Sequence, residues 1–216
     1  MNLSELESLT LPPHLNRMAP PDFSALNFTN WRNTSAPFAI EIGCGVGYHP
    51  IQWAKQNVNC QILAIERTKI KFEKFCRRLS QHASLEQQIF AAHADANRLL
   101  PHLLTLNSVD NYFLLYPNPE PKRRNHRIAF STLTKIVVAT LKPRGRLTIA
   151  TNIENYANEV RHWLPLKFSL ILERETKIIK DDLLCGQHRF RSHFEKKYLD
   201  RGDCCYNFEF RKTNPF

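Results

Sequence analysis

The sequence predicts an α/β fold: one doubly wound domain with a mostly parallel sheet and a last strand that runs antiparallel. Three observations carry the prediction. From Phe38 onward, short apolar runs alternate with amphipathic stretches, the signature of βαβ units. A glycine-rich turn, Gly43-Cys44-Gly45-Val46-Gly47, comes after the first apolar run. The chain has 216 residues, 43% hydrophobic and 23% charged, which suits one sizeable core and argues against wholesale disorder.

Residues 1–37 precede that pattern. They hold Pro12, Pro13, Pro20, Pro21 and Pro37 with little periodicity, and read as an N-terminal arm that packs loosely or covers a site, preceding a domain spanning 38–216. The runs Phe38–Ile42 and Ile62–Ile65 read as strands. A helix is expected from about Lys69 to Gln81, where Ile70, Phe72, Phe75, Cys76 and Leu79 fall near helical spacing. Gln88–Ala92 and Val109–Tyr116 read as further strands. A helix from about Ala129 to Leu141 stops before Pro143, Pro143-Arg144-Gly145 makes a turn, and Arg146–Ala150 is the next strand. Phe190–Leu199 reads as a helix. Cys204–Phe210 reads as a late strand inserted antiparallel, as mixed sheets allow.

Composition excludes several classes. Six cysteines occur without a C-x-x-C pair, and no His/Cys spacing suits a metal site, so they read as reduced thiols. The N-terminus lacks the features of a signal peptide, and no apolar run reaches the ~18–20 residues of a membrane span. A cytoplasmic protein, without metal and without membrane contact, is expected, as a monomer or small homo-oligomer. The formal charge of +10 predicts a polyanionic partner, and nucleic acid is the commonest soluble one.

The glycine turn is the sharpest local signal. Glycine lets the backbone turn tightly and approach a ligand where a Cβ would intrude. The dinucleotide fingerprint G-x-G-x-x-G does not fit, because position 48 is Tyr and the third glycine comes one residue early. The pattern Glu41-x-Gly43-x-Gly45-x-Gly47 instead resembles motif I of class I methyltransferases. That resemblance implies a Rossmann-like, seven-stranded sheet and S-adenosylmethionine as cofactor. Glu41, Gly43 and Gly45 are then expected at its methionine end. Glu66, ending the second strand, is placed to accept from ribose hydroxyls. Asp95 is placed near the adenine amino group, or as the N-cap of the next helix.

The loop after the fourth strand is the second strong signal. In Tyr116-Pro117-Asn118-Pro119-Glu120-Pro121-Lys122-Arg123-Arg124-Asn125-His126-Arg127, prolines stiffen a segment that ends in a basic cluster. It is similar to the F-P-D-P-W-x-K-x-R-H-x-K-R-R signature of the tRNA (guanine-N7-)-methyltransferase family. Ala150-Thr151-Asn152-Ile153-Glu154-Asn155-Tyr156-Ala157 resembles that family's T-D-W-x-x-Y-A, and Ser192-His193-Phe194-Glu195 with Gly202 resembles its T-x-F-E…G. Four motifs in one order are more specific than any one of them. The resemblance implies tRNA or other structured RNA as substrate. Asn118 and Asn152 are then expected in catalysis. Lys122, Arg123, Arg124, Arg127, Thr151, Arg191, Ser192 and Glu195 are expected at the substrate.

This sequence departs from the family at Asn118 and Asn152, where the family has Asp, at Glu120 and Ile153, where it has Trp, and in a shorter basic run. Guanine N7 carries a free lone pair and needs no general base, so the family's carboxylates suit a role as acceptors for guanine N1–H and N2–H. An amide offers one acceptor and two donors, and a mismatched polar contact costs ~1–3 kcal/mol. Two other readings stay open: a methyltransferase for an exocyclic amine or small molecule, and a catalytically silent RNA-binding relative.

Overall fold

The computed structural model describes residues 27–118, 127–186 and 190–213. Its elements, in chain order, are α1 (Phe28–Trp31), β1 (Phe38–Ile42), α2 (Tyr48–Gln56), β2 (Gln61–Glu66), α3 (Lys69–Leu79), β3 (Ile89–His93), α4 (Ala96–Leu103) and β4 (Val109–Leu115). After β4 come α5 (Thr132–Thr140), β5 (Leu141–Thr151), α6 (Glu154–Lys167), β6 (Leu170–Ile178), α7 (Lys180–Leu184), α8 (His193–Asp200) and β7 (Cys205–Lys212).

Seven strands form one sheet in the order β3-β2-β1-β4-β5-β7-β6. The pairings from β3 across to β5 are parallel, whereas β7 runs antiparallel between β5 and β6. The doubly wound sheet with an inserted antiparallel last strand is therefore as expected. Strand order reverses between β1 and β4, and ligands of such sheets bind beyond the carboxyl ends of the strands at that reversal.

The inner strands are apolar on both faces. In β2, Ile62 and Ala64 join Ile51, Phe75 and Ile89 on one side. Leu63 and Ile65 join Leu99, Val137 and Tyr156 on the other. Each buried Leu, Ile, Val or Phe among them contributes ~1.5–3 kcal/mol relative to exposure, so this alternation holds helices on both faces. Side-chain caps place several helix starts: Asp95 accepts from the Asn97 N–H, Ser131 from Thr134 and Ser192 from Glu195.

Three departures from expectation have local causes. The helix expected near Ala129 begins at Thr132, because Ile128–Phe130 forms a 3-10 turn and Ser131 caps α5 after it. The turn at Pro143–Gly145 lies within β5 as a bulge. Val109 pairs with Leu141, but Asn111 pairs with Arg146, and Arg144 adopts φ +64° between them. The end of the N-terminal arm packs closely: Phe28 is buried, with its ring 5.5 Å from Phe90 and 6.1 Å from Phe38. Among the described residues no helix is long and apolar enough to cross a membrane, and no group of His, Cys, Asp and Glu could hold a metal ion.

Candidate active site

The turn between β1 and α2 sits at the strand-order reversal. Gly43, Gly45 and Gly47 all adopt left-handed φ, at +79°, +61° and +74°. Each has its own reason to be glycine. A Cβ on Gly47 would lie 1.8 Å from the Phe75 ring, so α3 packs against bare backbone there. A Cβ on Gly43 would meet nothing within 4 Å. That open space faces a cavity of about 260 Å³ formed by the turn, the start of α2, α3, Leu115 at the end of β4, and the start of α8.

Carboxylates brace the turn. Glu66 is buried, and its Oε2 accepts from the Gly45 N–H at 2.9 Å while Oε1 accepts from the Thr68 N–H at 2.7 Å. The Gly43 and Cys44 N–H groups donate to the Ile65 carbonyl. Glu41 is buried with Oε2 2.8 Å from His49 Nδ1. An ionised carboxylate only accepts, so this nitrogen carries the proton. The His49 ring also stands edge-on to Phe113 at 4.7 Å. Burial pushes the neighbouring Cys44 thiol well up, and the charges of Glu41 and Glu66 add to the effect.

The expected cofactor residues divide accordingly. Glu41, Gly43 and Gly45 line the cavity. Glu66 reaches it through the Gly45 amide. Asp95 caps α4, 3.8 Å from Arg67, and does not line the cavity.

A second network joins the end of β4 to α8. Tyr116 holds φ +56°, and its hydroxyl donates to Glu195 Oε1 at 2.8 Å. Glu195 is fully buried and accepts from the Arg191 guanidinium at 3.0 Å and the Arg191 N–H at 2.5 Å. Arg191 also donates to Asn207 at 2.8 Å. Burial pushes the Glu195 carboxyl up, but the Arg191 charge and the donated hydrogen bonds outweigh it and hold the group below its usual range. Burial, then the Glu195 charge, pushes the Tyr116 hydroxyl far up, so it stays a donor.

The other expected substrate residues are more dispersed. Ser192 lines the cavity and caps α8. Thr151 is buried and accepts from the Ile153 N–H at 3.2 Å. Asn152 donates from Nδ2 to Asp203 at 3.0 Å, and Asp203 also accepts from Arg201 at 2.6 Å. Arg127 turns inward to an ion pair with Glu159. Asn118 is exposed at the end of the segment after β4. Lys122, Arg123 and Arg124 lie outside the described residues. The sequence reading missed His49, Lys71, Lys74 and Lys197 as cavity residues, because only tertiary packing brings α2, α3 and α8 to the turn.

Known proteins resemble this chain at two levels. A protein of Buchnera aphidicola subsp. Baizongia pistaciae called tRNA (guanine-N(7)-)-methyltransferase is 29% identical over 88% of this chain and 78% of its own. One of Nitrosomonas eutropha with the same name is 33% identical over 63% of this chain and 61% of its own. The crystal structure of the 16S rRNA methyltransferase KamB superposes with a TM-score of 0.61 at 16% identity, covering 87% of this chain and 93% of that one. At that identity the likeness speaks for the class I methyltransferase fold alone. A family model described as "Putative methyltransferase" matches residues 35–208. With its glycine turn at the reversal of a seven-stranded methyltransferase sheet, this chain belongs to that family.

Proposed function

We propose that this methyltransferase takes a methyl group from S-adenosylmethionine and places it on N7 of a guanine in tRNA. One observation carries the reading. Two left-handed glycines, Gly43 and Gly45, open onto a cavity at the end of β1 that is also lined by Leu115, the last residue of β4 before the guanine-N7-like signature begins. The Buchnera and Nitrosomonas relatives both carry that activity in their names.

The residues fit the cofactor. The open space over Gly43 admits a ligand close to backbone. Glu41 and Gly45 would hold the methionine end, Glu66 the ribose and Asp95 the adenine side. Glu66 can accept from ribose while bracing the turn, because each carboxylate oxygen has two lone pairs. S-adenosylmethionine supplies an electrophilic methyl group on a sulfonium.

Positioning of the base falls to the chain, since N7 needs no proton removed. Asn152 gives its Nδ2 to Asp203, which leaves Oδ1 as an acceptor for a guanine N–H. The amide thereby presents the same kind of atom as the family's carboxylate. The Tyr116–Glu195–Arg191 network anchors the segment that carries Asn118. Arg127 and Arg191 are engaged by internal carboxylates, so from the loop after β4, phosphate contact falls to Lys122, Arg123 and Arg124. The six cysteines are free thiols, in keeping with a cytoplasmic setting.

The test is incubation with labelled S-adenosylmethionine and unmodified tRNA, followed by nucleoside analysis. Labelled 7-methylguanosine is expected. Label on an exocyclic amine, or donor binding without transfer to any tRNA, would overturn the assignment.

A further inference from the structure

The excess positive charge of this chain is unevenly compensated. Several cations of the outer sheet and its flanks are paired: Lys142 with Asp110 at 2.8 Å, Arg211 with Glu173 at 2.5 Å, Arg201 with Asp203 at 2.6 Å, and Arg161 with Glu175. Lys177 and Lys212 of that sheet lie instead against the Tyr206 ring and against the Val138 and Leu141 carbonyls. Helix α3 is different. Its eleven residues include Lys69, Lys71, Lys74, Arg77 and Arg78 against a single acidic residue, Glu73. Among the described residues, Lys71, Lys74, Arg77 and Arg78 form no ion pair with a carboxylate, and neither does Lys197 of α8.

These cations share one surface. Lys71, Lys74 and Lys197 line the cavity at the glycine turn. Lys74, Arg77 and Arg78 line an open depression next to it, and Lys74 and Val46 belong to both. Two aromatic rings border the row. Tyr48 and Phe190 stack at 5.1 Å with 28° between their planes, and the Arg78 guanidinium lies 5.8 Å from the Tyr48 ring.

Like charges three and four residues apart on a helix repel and lower its stability. A surface that gathers them without carboxylates suits an extended anion with repeated charges. Stacked aromatic rings beside cations are the other ingredient of a nucleic-acid surface, because every base has a π-face. We propose that the outer face of α3, continued by Lys197 and the Tyr48–Phe190 pair, binds the phosphate backbone of RNA and leads it to the cavity. This rests on the assignment of tRNA as substrate, but locates the contact on a different element from the loop after β4.

The test compares Arg77→Gln/Arg78→Gln with the unaltered chain in binding unmodified tRNA over a salt series. Neither arginine lines the cofactor cavity, so S-adenosylmethionine binding by calorimetry checks that the double variant is folded. Loss of two phosphate contacts predicts a salt-dependence slope smaller by about 1.5, equivalent to roughly thirtyfold weaker binding at 0.1 M salt. The control Arg161→Gln/Arg211→Gln removes the same charge from paired sites and should leave the slope unchanged. An unaltered slope in Arg77→Gln/Arg78→Gln, or equal losses in both variants, overturns the proposal. So does a chain that binds vesicles of anionic lipid through α3 but no RNA. A chain that binds RNA through α3 yet makes no 7-methylguanosine keeps this proposal and sinks the assignment of the reaction.

Discussion

Restoring the family's aspartate at position 152 is the obvious repair, and the structure predicts that it fails alone. Asn152 Nδ2 lies 3.0 Å from Asp203 Oδ2. In Asn152→Asp a carboxylate replaces that donor and faces another carboxylate. At 3.0 Å two like charges repel by about 1.4 kcal/mol in a water-like medium and about 5.5 kcal/mol at an effective dielectric of 20. The Asp203 side chain is 31% exposed and contacts Arg201 at 2.6 Å, so the lower figure governs and is partly offset. Adding the lost hydrogen bond at ~1 kcal/mol gives a net cost of about 1–2 kcal/mol. For a domain of this size that is a fall of about 2–8 °C in Tm.

The sign of the pH dependence is fixed by the same geometry. Repulsion raises the folded pKa of one carboxyl in the pair above its unfolded value near 3.9. The folded variant then binds more protons than the unfolded chain between those values, so its stability falls as pH rises through them. The deficit should be full at pH 7 and shrink towards pH 4. Adding Asp203→Asn should remove it, because an amide at 203 can donate to the new carboxylate. Thermal unfolding of the single and double variants from pH 4 to 8 measures this. A wild-type Tm for Asn152→Asp at pH 7, or a deficit that does not vary with pH, would refute the reasoning. Under the proposed function, methyl transfer should also recover more in the double variant than in the single one.

Two more outcomes are expected at the site. Gly47→Ala combines a left-handed φ with a Cβ 1.8 Å from Phe75 and should cost about 2–4 kcal/mol in denaturant unfolding; an unchanged midpoint would show that α3 does not press on the turn. Glu195→Gln should cost about 1–3 kcal/mol at neutral pH. The native carboxyl is held low by Arg191 despite its burial, so its contribution is present above the unfolded pKa near 4.3 and is lost as pH falls through the lower folded value. The variant's stability should therefore fall less steeply than that of the unaltered chain below about pH 4, and equal slopes would count against the network.

Burial that repeats along the chain was legible in the sequence. β1, β2 and β4 are covered on both faces and read as apolar runs. β7 was readable for the same reason, since Cys205, Tyr206, Phe208 and Phe210 are all buried between β5 and β6. β6 was not read as a strand from its own residues. It is an edge strand whose middle, Glu173-Arg174-Glu175-Thr176-Lys177, is largely exposed and shows no apolar alternation. The glycine turn was legible because its demand for φ > 0 is local. The company it keeps was not: Phe194 reaches within 3.7 Å of where a Gly45 Cβ would sit, although 149 residues separate them in the chain.

The residues that were legible turn out to hold the turn and the start of α8 in place. The sequence places Glu66 as a ribose acceptor, and in the structure it ties the glycine turn to the end of β2 through two amides. The sequence places Asp95 toward adenine or as an N-cap, and the cap is formed. The family resemblance puts Ser192 and Glu195 at the substrate, and in the structure they start α8 and fix Tyr116. A carboxylate satisfied by backbone N–H groups has a fixed position, and fixed position is what an in-line transfer needs. Under the proposed function, bracing and binding therefore do not compete at these residues. The same bonds that fold the turn would orient the acceptor atoms before any ligand arrives. The cations divide the other way: Arg127 and Arg191 are held inside by carboxylates, while Lys71, Lys74, Arg77 and Arg78 of α3 have no such partner among the described residues, and this separates scaffold charge from charge left for a polyanion.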